Sequence, residues 1–143
     1  VATLRLSGMN AVPDIEGVKN DWHNLSHHGQ DPAKIDELKV IETAEFTAFA
    51  GFLSKLKTTQ ENGRPLLDST AVLFGSNLGN ASAHQTVNLP LILAGGGLKH
   101  GRHLAVDNKQ HVFSNLFVSL AQRMGVEADA FGFSTGILDL NQA

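Results

Sequence analysis

The sequence predicts an α/β domain on a largely parallel sheet flanked by helices, and three observations predict it. Thr70-Ala-Val-Leu-Phe74 and Leu89-Pro-Leu-Ile-Leu-Ala94 are continuous apolar runs without in/out alternation, the pattern of strands covered on both faces. Two amphipathic helical stretches bracket them, and long polar loops follow the strands. The order strand–loop–helix–strand–loop–strand–loop–helix belongs to that class, in which ligands sit beyond the carboxyl ends of the strands. With 143 residues, 42% of them hydrophobic, the chain suits one domain, 1–143, with no internal boundary and enough apolar material for a core.

Residues 1–7 alternate, Val1, Thr3, Arg5 and Ser7 against Ala2, Leu4 and Leu6, and predict a short strand. A long polar loop, Gly8 to Asp31, follows; loops of such length in compact domains are often functional. Asp31-Pro32 reads as an N-cap and a first-turn proline. Beyond it Ile35, Leu38, Ile41, Glu45/Phe46, Phe49, Phe52, Leu53 and Leu56 recur at helical spacing, which predicts one amphipathic helix over 32–59. Its Asp36, Glu37, Glu42 and Lys55 read as a solvated face. Asn62-Gly63-Arg64-Pro65 breaks the chain before the first apolar run. Gly95-Gly96-Gly97 closes the second run. Val112, Phe113, Leu116, Phe117, Leu120 and Met124 predict a second helix that stops at Gly125, and the tail from Glu127 to Ala143 has little periodicity.

Composition removes several chemistries. Eleven Lys+Arg against fourteen Asp+Glu leave −3, which gives no electrostatic case for nucleic acid as a partner. Without Cys there is no disulfide, thiolate zinc site, iron–sulfur cluster or Cys nucleophile, and without Tyr no phenolic acid or base. No apolar stretch approaches the ~20 residues of a membrane span. The seven His remain, so a metal would be held by imidazole and oxygen.

Trp22-His23-Asn24-Leu25-Ser26-His27-His28-Gly29 is the sharpest feature. His23 and His27 are four apart, so one helical turn points both to one side, and neutral imidazole is a ligand for zinc and similar metals. No HExxH accompanies them, so a zinc-protease base is lacking. A second candidate is the loop Gly75 to His84, with Ser76, Asn77, Asn80 and His84 after an apolar run; its serine is out of register for a nucleophile elbow. In Gly95-Gly-Gly-Leu-Lys-His-Gly-Arg-His103 the Walker A Lys-[Ser/Thr] is absent, but Lys99 and Arg102 could hold an anion.

His23-x-x-Ser26-His27-His28 followed by Gly-Gln-Asp-Pro resembles the signature of the HXXSHH family of exported bacterial proteins, abundant in planctomycetes. The resemblance continues through Leu73-Phe-Gly-Ser-Asn-Leu-Gly-Asn-Ala, Asn88-Leu-Pro-Leu-Ile-Leu-Ala-Gly-Gly-Gly, Lys99-His-Gly-Arg-His-Leu, Gln122-Arg-Met-Gly-Val and Ser134-Thr-Gly136, nearly the whole chain. It implies that these residues are the C-terminal portion of a longer protein. It implies periplasmic or extracellular localisation by an export signal upstream of this chain. It also implies a doubly wound fold similar to the alkaline phosphatase/sulfatase superfamily. In that superfamily's Thr-Ser-Asp-His-Gly pattern, Asn77 here stands for the metal-binding Asp and Leu78 for the His, with His84 the nearest replacement. The expected activity is metal-dependent hydrolysis of phosphate or sulfate esters, on an anionic small molecule or glycan ester. His23, His27, His28 and His84 are then the metal ligands (zinc, calcium or manganese). Ser26 and His28 are catalytic, and Asn77, Lys99 and Arg102 bind substrate. The alternative expectation is a non-catalytic structural or ligand-binding protein.

Overall fold

The computed structural model describes residues 1–6, 10–107 and 109–141. Its elements are α1 (Trp22–Ser26), α2 (Pro32–Thr58), β1 (Gln60–Glu61), β2 (Arg64–Pro65), α3 (Leu66–Ser69), β3 (Ala71–Gly75), β4 (Leu91–Gly95) and α4 (Ser114–Arg123). Two compact units result, one of residues 1–59 and 76–89, the other of 60–75 and 90–143. No helix among the described residues is long and apolar enough to cross a membrane.

In the first unit α2 starts where its sequence says it should. The Asp31 carboxylate accepts the Ala33 N–H at 2.9 Å, with Pro32 in the first turn. Ile41 is buried, and Leu38, Glu45, Phe49, Leu53 and Leu56 are half-buried along one stripe, while Phe46 and Phe52 are exposed. α1 packs on α2 through a face that buries Leu25 and Ser26.

The second unit is centred on α4, whose Leu116 and Val118 are buried with Leu140. α4 ends in a Schellman motif: Val126 N–H donates to Ala121 and Gly125 N–H to Gln122, with Gly125 at φ +77° where a side chain would be strained. The aperiodic tail is held by polar bonds. Buried Asn115 accepts the Thr135 N–H at 2.8 Å and donates to Thr135 Oγ1, and Ser119 Oγ accepts the Leu138 N–H at 2.8 Å. The Arg123 guanidinium donates to the Gly96 and Gly97 carbonyls, pinning the glycine turn after β4.

The sheet corrects the expected fold. β3 and β4 pair antiparallel, from Ala71↔Gly95 to Gly75↔Leu91, in a two-stranded sheet, and β1–β2 is a second two-stranded antiparallel pair. There is no doubly wound or parallel sheet, and no alkaline phosphatase/sulfatase-like architecture, among the described residues. The reason lies in the connection. Parallel neighbours need a crossover, usually a helix, whereas 76–90 is rich in Asn, Gly, Ser and Pro and forms turns with an Asn80↔Gln85 bridge. Asn62-Gly63, expected only to break the chain, has both residues at positive φ and closes a β1–β2 hairpin, the type I′ signature. Residues 1–6 are exposed and form no strand, since an alternating run needs a neighbouring ladder and none among the described residues supplies it; Ser7 lies outside them.

Replacing Asn115 by Ala removes the buried side chain that accepts the Thr135 N–H and leaves its own space unfilled. A loss of about 1–3 kcal/mol is expected, read as a lower urea midpoint for the full chain; an unchanged midpoint would contradict the role given to the Asn115–Thr135 pair.

Candidate metal centre

The centre is built from α1 upward. Asp21 caps α1, its carboxylate accepting the Asn24 N–H at 2.9 Å. The chain before the cap is fastened to α2 by Glu37, which accepts the Lys19 N–H at 2.5 Å, the Asn20 N–H at 2.6 Å and the Asn20 side-chain amide at 3.0 Å. Lys34 of α2 donates to Asn24 Oδ1 at 2.8 Å. With Leu25 and Ser26 turned inward, His23 and His27 emerge together, ring centroids 4.8 Å apart and nearly perpendicular at 71°.

The third ring comes from a distant part of the chain. In the loop 76–89, Asn80 Oδ1 accepts the Ala83 N–H, Gly79 N–H donates to Gln85, and His84 N–H donates to Ala81. This turn holds His84 at φ +51°, a left-handed conformation that His tolerates better than most residues. A Cβ at Gly79 would overlap the Val87 carbonyl oxygen, so the tight return of the loop requires glycine there. His84 Nε2 then lies 3.3 Å from His27 Nε2, the rings 4.9 Å apart at 84°.

That separation fits a metal. Two imidazole nitrogens bound tetrahedrally at about 2.0–2.1 Å lie about 3.3–3.4 Å apart. Without an ion, one ring must donate and the other accept. Among the described residues no three His, Asp or Glu side chains form a group that could hold an ion, so the fold offers the His27–His84 pair, with the His23 ring packed beside His27. His27 is half-buried; His23 and His84 are exposed.

The other expected site residues are committed elsewhere. Ser26 is buried and its hydroxyl donates to the His23 carbonyl at 2.8 Å, a bond internal to α1. His28 Nδ1 accepts the Gln30 N–H at 3.1 Å, so a neutral ring carries its proton on Nε2 and has no free lone pair for an ion. Asn77 is exposed in the 76–89 loop. Lys99 and Arg102 belong to the second unit; Lys99 is exposed, and Arg102 donates to the Leu140 carbonyl, tying its loop to the tail.

Glu37, expected on a solvated face, and Gly79, expected only as part of a family-like pattern, both position the imidazoles. The signal for Gly79 was its place among turn-forming Asn and Ser residues. Nothing local in the sequence marks Glu37, because its partners are loop amides. No protein family, curated protein or solved structure matches this chain.

The two perturbed carboxylates of α2 have opposite causes. Lys19 N–H, followed by the Asn20 side chain, holds Glu37 below the usual carboxylate range. Burial, then repulsion from Glu42, raises Glu45, which lies in the apolar stripe. A lowered folded pKa gives stability that is present above the unfolded value and is lost as pH falls through the folded one. The melting-temperature difference between the natural chain and Glu37→Gln should therefore shrink as pH falls below the usual carboxylate range. A difference constant with pH would remove the carboxylate from this role.

Proposed function

We propose that this chain is a metal-binding protein, taking one zinc-class divalent ion on His27 and His84, with His23 as a third imidazole that turns in on binding. The observation that carries this reading is the 3.3 Å Nε2–Nε2 separation between residues from two remote segments. Donor chemistry selects among the metals. Imidazole suits zinc, copper and nickel, whereas calcium and manganese prefer oxygen. Ser26 adds no nucleophile to the pair: its hydroxyl is buried and its proton is directed at the His23 carbonyl.

Titration of the chelator-treated full chain with Zn(II) in a calorimeter should give one ion per chain. His27→Ala and His84→Asn should each weaken binding at least about tenfold, a loss that even indirect partners of a metal can cause. Asn is chosen because it tolerates the left-handed backbone at position 84. Calcium should give no heat. Zinc affinity unchanged in both variants, or no zinc binding at all, would overturn the reading.

A further inference from the structure

We propose that the ion acts as a clasp: its binding orders the loop 76–89 against α1, so that the loop's mobility is set by metal occupancy. The inference rests on the metal reading above and deepens it into regulation of the same site.

The two principal ligands differ in how firmly they are held. His27 caps an α1 anchored to α2 through Asn24–Lys34 and through Glu37 with Lys19 and Asn20, and it is half-buried. His84 sits at the tip of a turn whose backbone bonds, Gly79–Gln85, Asn80–Gln85 and His84–Ala81, all close within the loop. Residues 82–88 are exposed throughout, so this stretch buries little surface that would hold it down. The left-handed backbone of His84 adds a local cost. Segments with few buried contacts occupy the low-stability end of a native structure.

A shared ion changes that balance. A bond from Nε2 of His27 through the ion to Nε2 of His84 joins positions 57 apart in sequence, and clips that close long loops restrain the most chain entropy. The coupling is reciprocal. If only the closed loop presents both rings, apparent affinity falls with the closed fraction, so a change that loosens the turn must weaken zinc binding without touching a ligand. Gly79 is such a position, because a Cβ there opens the turn at the Val87 carbonyl.

Hydrogen exchange of the full chain with and without Zn(II), read by mass spectrometry, tests the clasp. With zinc at about ten times its Kd the open population falls about tenfold, and amides of 79–88 should slow by that factor, with no zinc-dependent slowing there in His84→Asn. Gly79→Ala should weaken zinc binding while leaving exchange in α2 unchanged. Zinc binding with protection confined to 21–28 would overturn the clasp and leave the metal reading standing. Absence of zinc binding would overturn both.

Discussion

Two imidazole rings, one at the end of a short helix and one on a surface turn, meet edge to face with their Nε2 atoms 3.3 Å apart, and the proposed site depends on that contact. A five-residue helix cannot hold a ring in place by itself, since isolated short helices are marginal in water. α1 is therefore capped by Asp21 and braced against α2 by Lys34 and Glu37. The opposing turn is braced by Asn80, and by a glycine at position 79 that lets the chain return close to Val87.

Much of the helical architecture was legible in the sequence. Asp31-Pro32 marked the start of α2, the spacing of Leu38, Ile41, Phe49, Leu53 and Leu56 marked its inward stripe, and Gly125 marked the stop after α4. The i,i+4 spacing of His23 and His27 correctly put both on one side of a turn. These signals are local: caps and periodicity act within one or two turns of chain.

What failed was non-local. The apolar runs 70–74 and 89–94 carry no orientation information of their own, and the missing alternation was read as burial in a parallel sheet. The deciding evidence lay in the connecting loop, whose Asn80, Gly79 and Asn88 favour turns over a crossover helix, and the pair forms antiparallel. The meeting of His84 with His27 was equally invisible, because proximity across 57 residues depends on loop geometry that no spacing rule encodes. Ser26, His28 and Arg102 show the converse: each looked chemically available in sequence, and each is engaged by a backbone group, the His23 carbonyl, the Gln30 N–H and the Leu140 carbonyl.

The most direct measurement is zinc K-edge X-ray absorption on the zinc-loaded full chain and its His84→Asn variant. A first shell at about 2.0–2.1 Å is expected, with outer-shell scattering from at least two imidazoles that falls by one ring in the variant. An all-oxygen shell, or a spectrum indifferent to the loss of His84, would contradict it.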